Sequence, residues 1–243
     1  VWTSLLYAAE ERTVRIVSDP WCPYQCLDEG DFRGITYDII SEIFGPRGYT
    51  VKMEMTSWTR AISALRTGKS TTFASAAKAD APDLIYAEVP TTYMQNTVFQ
   101  KINSPIRYEN VSQFSKGVMG YIQSYTYGSV IDSYLSNPKG PTYKITGPNS
   151  LDRLLKMLHH GHIDYFVDDH VVTEYRIKHL NFGTSIQAVR TITSVPLYLG
   201  FSPVDPMGRT YAKWASQWLR QAQQDGRLKA IFSKYGIPCL TCR

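Results

Sequence analysis

The 243-residue chain lacks an apolar run near the roughly 18 to 20 residues that a membrane-spanning helix needs. It also lacks any block of like charge. Its 26 basic and 21 acidic residues are scattered, and the net charge of +5 forms no concentrated basic patch. That argues against a nucleic-acid partner and leaves a mild bias toward anionic solutes. Catalytic signatures are missing as well. There is no Ser-His-Asp order, no glycine-rich phosphate loop and no His-Glu-x-x-His. No catalytic residue, metal or cofactor is therefore expected. Hydrophobic residues make up 43% and charged residues 19%, the balance of a soluble globular chain with ample core for one large domain or two small ones.

Cysteine is scarce, and its four copies form two local pairs, Cys22/Cys26 in WCPYQC and Cys239/Cys242 in the tail CLTCR. Both pairs lie in turn-like, proline-containing stretches. Two disulfides in an exported protein are the favoured reading. A four-cysteine zinc site, which needs both pairs to meet, and free thiols are the alternatives. Val1–Ala9, VWTSLLYAA, reads as the tail of a secretory signal or as a lead-in helix, and it lacks a basic flank.

The stretch LDRLLKMLHHGHIDYFVDDH organises the rest. Leu151, Leu154, Leu155 and Leu158 share one helical face, Gly161 supplies a stop, and Ile163, Tyr165 and Val167 alternate toward Asp168 and Asp169. AISALRTGKSTTFASAAK is a weaker copy. Its Ala61, Leu65, Gly68 and Phe73 occupy the places of Leu154, Leu158, Gly161 and Phe166. Two helix–glycine–strand units far apart predict two lobes built alike.

The remaining pattern agrees. Thr13–Ser18 reads as a strand, Trp21–Phe32 as loop, Gly34–Phe44 as a helix stopped by Gly45–Gly48, and Tyr49–Thr56 as a strand. Ser57 caps a helix through Arg66, and Thr71–Ser75 is the next strand. Thr91–Lys101 is long and extended, and Asn103-Ser104-Pro105 marks a first crossing between lobes. Val118–Ile122 is a strand, Thr126–Leu135 a helix, Tyr143–Ile145 a strand and Val171–Leu180 a helix. Ile186–Thr193 is a strand, Ser194–Pro196 a return crossing and Leu197–Phe201 a strand. Met207–Asp225 and Leu228–Tyr235 are the last helices. This order places lobe 1 at 13–102 and 196–243 and lobe 2 at 103–195, with a cleft at the carboxyl ends of the strands.

These segments resemble the bacterial extracellular solute-binding proteins of family 3, the amino-acid type. RIVSDPWCPY, GITYDIISEIFGPRGY, SWTRAISALRTGK, SLDRLLKMLHHGHIDYFVDD and AKWASQWLRQAQQDGRLKAIFSKYGI match that family's motifs in order, over roughly Thr13 to Pro238. The resemblance implies an α/β, two-lobe periplasmic-binding-protein fold of type II. Each lobe is a mostly parallel sheet flanked by helices, and the hinge is two-stranded. It further implies a monomeric periplasmic protein, secreted by a signal peptide. The protein would capture a small polar solute, amino-acid-like or an organic anion, for an ABC permease in the inner membrane. A ligand-sensing module is the second reading, and a dehydratase-like enzyme, with Asp169 and Glu88 as its nominated acids, the third. One departure stands out. Where such binders carry a carboxylate-clamping arginine, KADAPDLIYAEVP places Pro82 or Asp83, so Lys78 or Arg60 would have to supply the positive charge.

The candidate ligand residues follow. Asp19 and Trp21 sit on the loop after the first strand. Trp21 would stack on a ligand or pack against its cysteine neighbours. Trp58 and Arg60 lie in the first turn of a helix, where anions are favoured. Ser75 and Lys78 follow the third strand of lobe 1, and Tyr93 follows the EVP turn. Ser124, Tyr125 and Thr126 would open a helix with free amides. Asp169 matches the amine-binding aspartate of the family, while strand alternation turns Asp168 away. His159, His160 and His162 surround a helix end and read as dipole partners, not as a metal site.

Overall fold

A computed structural model describes residues 12–28, 31–123, 125–147 and 149–242. Val1–Ala9 therefore lies outside the described residues, and so does Ser124. The first strand is β1 (Arg12–Ser18), followed by a small hairpin, β2 (Cys26–Asp28) and β3 (Asp31–Arg33). The hairpin corrects the reading of Trp21–Phe32 as loop throughout. Helix α1 (Ile35–Phe44) ends in the 3-10 turn Gly45–Arg47 and leads to β4 (Tyr49–Met55). Next come α2 (Trp58–Arg66), β5 (Thr72–Ala76), β6 (Ile85–Tyr86) and the long β7 (Thr92–Lys101). After a 3-10 turn, Val111–Lys116, the chain forms β8 (Met119–Ile122), α3 (Ser129–Ser136) and β9 (Thr142–Ile145). It continues with α4 (Ser150–His160), β10 (Tyr165–Asp169) and α5 (His170–His179). The 16-residue β11 (Ile186–Phe201) precedes α6 (Gly208–Asp225) and α7 (Arg227–Lys234).

The strands follow one path, β4-β1-β5-β11-β7-β10-β8-β9, with β6 beside β11. At one end β4, β1 and β5 are parallel, and at the other β10, β8 and β9 are parallel. Between them β7 and β11 form an antiparallel ribbon. Its ladder runs from Ile186 opposite Lys101 to Leu197 opposite Thr92. From Asn96 onward β7 lies beside β10, and from Tyr198 onward β11 lies beside β5. The expected interruption at Ser194–Pro196 is absent, because β11 runs through it. Pro196 is tolerated there because β11 pairs only with β7 until Tyr198, so its missing N–H removes no second ladder bond.

Each half buries both faces of its sheet. Val14 and Ile16 of β1 pack under α1 and α6 with Ile39, Ile40, Ile43, Ala215 and Leu219. Val17 and Phe73 face the other side with Ala61 and Leu65 of α2. In the second half Phe99 and Phe166 pack with Leu154, Leu155 and Leu158 of α4. Tyr165 and Val167 pack with Ile131 and Tyr134 of α3. The leucine spacing of α4 thus delivers the expected core face. Gly68 and Gly161 end the two echoing helices with φ +71 and +79, a left-handed conformation that costs any other residue about 1 kcal/mol or more.

Both cysteine pairs are disulfides, Cys22–Cys26 and Cys239–Cys242, which removes the four-cysteine zinc reading. The expected helix from Thr126 begins instead at Ser129, behind Gly128 with φ +84. Thr126 therefore does not sit at a helix N-terminus. Ser57 occupies the N-cap position of α2 but makes no side-chain cap hydrogen bond.

Candidate functional site

Two neighbouring cavities open where the strands of both halves end. The larger, of about 710 Å³, is lined by the β1 exit, the starts of α2 and α4, the β8 exit and the end of β10. The smaller, of about 50 Å³, lies on the β5 side. Asp19, Trp21, Trp58 and Tyr125 line both and form the wall between them.

This wall joins the two halves. The Tyr125 hydroxyl, from the loop after β8, donates to Asp19 Oδ2 at 2.7 Å. Burial raises the Asp19 carboxyl to about 6, and the bond from Tyr125 partly opposes it. Trp21 is held against Tyr24, with ring centroids 4.8 Å apart, and its backbone bridges to Gln25 beside the Cys22–Cys26 disulfide. Cavity lining and loop packing are both observed for Trp21. Trp58 meets Phe73 edge-on at 5.2 Å.

The small cavity is acidic. Besides the wall it is lined by Ser75, Asp80, Thr126, Gln25 and Met94, and no Lys or Arg lines it among the described residues. Burial raises the Asp80 carboxyl, while the Thr126 hydroxyl and the Ala77 amide pull it back. Ser75 Oγ shares a 2.8 Å hydrogen bond with Thr91 Oγ1.

The large cavity is of mixed charge. Arg60 lines it and makes no ion pair among the described residues. Arg176 lines it too, and its Nε and one Nη donate to Asp152 at 2.8 and 2.6 Å. The N-terminal turns of α2 and α4 face this space, and such turns favour negative or acceptor groups.

The two adjacent aspartates reverse their expected roles. Asp169 lines neither cavity. It is the N-cap of α5, accepting from the amides of Val172 at 3.0 Å and Gln95 at 2.9 Å. Asp168 lines the large cavity instead. Its Oδ1 accepts from the Asp169 amide at 2.7 Å, and its buried Oδ2 has no partner among the described residues. Alternation misled because β10 ends at this point. Asp169 turns into the helix, and all five residues of β10 are buried on a two-faced strand.

Other expected positions fall elsewhere. Lys78 lines neither cavity; its ammonium lies over the Tyr198 ring, 4.2 Å from the centroid. Tyr93 also lines neither and sits opposite Pro196 in the ribbon. Asp83, near the place of the missing arginine, is paired with Arg66 on the surface at 2.7 and 2.8 Å. Glu88 pairs with Arg220 on the surface, and neither acid nominated for a dehydratase lines either of these two cavities. His159 stacks on Phe182 and meets Ser185, as a helix end does. Asp80, Asp168 and the Asp152–Arg176 pair were missed. Asp80 stands in an unpatterned turn, and only the tertiary fold brings it beside Thr126.

No protein-family model and no curated protein matches the chain. Solved structures do match over nearly all of it. One concerns glutathione import in Gram-positive bacteria via GshT and the cystine ABC importer TcyBC of Streptococcus mutans. It has a TM-score of 0.81 at 18% identity, covering 95% of this chain and 98% of that one. An ancestral arginine-binding protein bound to arginine gives 0.78 at 16%, covering 92% and 98%. A histidine kinase sensor domain with similarity to periplasmic binding proteins gives 0.78 at 20%, covering 94% and 98%. At these identities it is the architecture that is shared, and by that architecture the chain has the two-lobe fold of the amino-acid-type solute-binding proteins.

Proposed function

We propose that the chain is a non-catalytic solute-binding protein of the periplasmic space. It takes a small polar solute with a cationic head group and presents it to an ABC importer. We take the lobes as 13–95 with 196–243, and 96–195, since β7 lies beside β10 from Asn96 onward and Phe99 packs in the second half. The observation that carries this reading is the small cavity. It has two carboxylates, two tryptophans and a tyrosine on its walls, and no lining cation among the described residues. Aromatic faces beside acids attract ammonium and guanidinium groups, and the volume suits such a group and little more. Acceptor or anionic parts of the solute would then meet Arg60 and the helix starts in the large cavity. The likeness to an arginine-binding protein and to an importer structure supports the class of role. The likeness to a sensor domain supports a second reading, in which the same capture feeds a signalling partner.

A thermal-shift screen tests the proposal. Propylamine, propylguanidine, arginine and putrescine should raise the melting temperature, whereas succinate and glutarate should not. A ligand at 100 times its Kd adds about 2.7 kcal/mol. Stabilisation by the dicarboxylates alone would overturn the cationic reading.

A further inference from the structure

The Cys239–Cys242 disulfide lines neither cavity, but a short chain of contacts leads from it to the smaller one. Thr241 lies between the bridged residues, and its hydroxyl donates to the Thr91 carbonyl at 3.1 Å. Thr91 is buried where the β7–β11 ribbon begins. Its amide and its hydroxyl both donate to the Leu197 carbonyl, at 2.8 and 3.1 Å. The same hydroxyl shares a 2.8 Å hydrogen bond with Ser75, which lines the small cavity. The bridge, the base of the ribbon and the cavity thus meet at Thr91.

The two disulfides differ in access. Cys26 is 3% exposed, and Cys22 lines the large cavity. Cys239 and Cys242 are half-buried at the surface, with Pro238 and Leu240 exposed beside them. A protein partner can reach this second bridge, whereas it is too large to enter the cavity that Cys22 lines. The second bridge is also poorly placed to staple the whole fold. It joins residues three apart, and closing so short a loop removes less freedom from the unfolded chain than closing a long one. What it fixes is the local turn, whose backbone closure from the Cys242 amide to the Cys239 carbonyl is a long 3.4 Å.

We propose that Cys239–Cys242 is a reducible clasp, opened by a protein dithiol, that tightens solute capture when oxidised and loosens it when reduced. A thiolate of the partner attacks one sulfur of the bridge. The S–S bond breaks, and the other sulfur leaves as a thiolate that takes a proton from water. The partner's second thiol, once ionised, attacks the mixed disulfide. The partner's own disulfide forms, and the remaining cysteine sulfur leaves and is protonated. Two electrons have then passed to this chain. Thr241 is no longer held inside a ring, its bond to Thr91 is lost, and Ser75 loses a fixed neighbour. The effect on binding rests on the small-cavity reading above, and the effect on Thr91 does not.

Reduced thioredoxin is the probe, applied to the intact protein at about pH 7, with thiols trapped by iodoacetamide and located by peptide mass spectrometry. Cys239 and Cys242 should be alkylated while Cys22 and Cys26 stay bridged. Amide hydrogen exchange should accelerate severalfold in peptides covering Ser75 and Thr91. The calorimetric Kd for arginine should rise roughly fivefold, the loss of one ordinary hydrogen bond. Thr241→Val keeps the bridge and removes the donor. It should show the faster exchange while still oxidised and respond little to reduction. Cys239→Ser combined with Cys242→Ser should match the reduced protein and ignore thioredoxin. Reduction of Cys22–Cys26 first, unchanged exchange at Thr91 after reduction, or normal exchange in Thr241→Val would each overturn the clasp. Equal arginine affinity in both redox states would overturn its control of capture and leave the cationic-head reading standing. If arginine binds neither state, the cationic-head reading fails, and exchange at Thr91 still decides the clasp.

Discussion

The α2–β5 and α4–β10 units share one plan up to their last residues. Each has a helix with one apolar face, a left-handed glycine and a buried strand. They diverge where the strands end. β5 runs into Ala76, Ala77 and a turn, and offers the cavity Ser75 and, past the turn, Asp80. β10 ends on two buried aspartates, one fixed as a helix cap and one lining the large cavity. Equivalent scaffolds therefore carry unequal electrostatic loads. Each half holds an acid with one buried oxygen that has no partner among the described residues, Asp80 Oδ1 and Asp168 Oδ2, and burial raises both; only at Asp80 does a side-chain hydroxyl, that of Thr126, oppose the rise. The contrast lies at the strand ends, while the starts of both helices line the large cavity and the glycines shape the turns.

The largest effect that should separate the units is pH-dependent stability. Asp168 keeps its proton to about pH 8 in the folded chain but loses it near 3.8 when unfolded. Between those values the folded state holds more protons. The contribution of Asp168 to stability should therefore be largest below about pH 4 and fall as pH rises, by at most about 6 kcal/mol at roughly 1.4 kcal/mol per unit. Asp19 and Asp169, raised to about 6, add to the lower part of that window. Urea titrations at pH 5, 6, 7 and 8 should show the decline between 6 and 8 vanish in Asp168→Asn. A decline that stays would place the strain elsewhere.

Next in size is Asp169→Ala. It removes the acceptor for two buried amides and should cost about 2 to 4 kcal/mol at neutral pH. Ser75→Ala, at the corresponding strand end, should cost about 1 kcal/mol, since it breaks one hydroxyl pair. Similar losses in the two variants would mean that the strand ends are equivalent after all.

The two glycines should behave alike. Gly68→Ala and Gly161→Ala both force a left-handed alanine, against Val204 and Lys101 respectively, and each should cost about 1 to 2 kcal/mol. A large inequality in denaturation midpoints would break the structural equivalence of the units. The smallest effect is expected at the surface. Asp83→Ala, which frees exposed Arg66, should leave the melting temperature unchanged at moderate salt, whereas Asp152→Ala leaves the half-buried Arg176 unpaired and should lower it.

How much of this was legible beforehand depends on the range of the interaction. The leucine face of α4 and the stop at Gly161 are local patterns, and the sequence displays them directly. The continuity of β11 through Ser194–Pro196 was not legible, because a proline reads as a break unless the strand is known to be paired on one side only. The start of α3 was set too early, because Ser124 to Thr126 look like a cap while the turn is made by Gly128. Asp19, Trp21, Trp58 and Tyr125 were recognisable as cavity residues from their places after strands. Asp80 was not, since it meets Thr126 only across the cavity. Asp168 and Asp169 exchanged roles because a strand-to-helix junction overrides the two-residue period at its final position.

The β7–β11 ribbon has a mechanical consequence. Its strands are hydrogen-bonded to each other along their shared length, so they cannot slide or swing as separate tethers. Any rotation of one sheet end against the other must twist or bend this single strip. Its ladder is irregular at two places, between Ala188 and Arg190 and between Thr191 and Thr193. Thr193 also bonds the Tyr127 carbonyl at 2.6 Å, in the same loop that carries Tyr125 to Asp19. A torsion of the strip is thereby geared to the loop that forms the cavity wall, as a spring is geared to a latch.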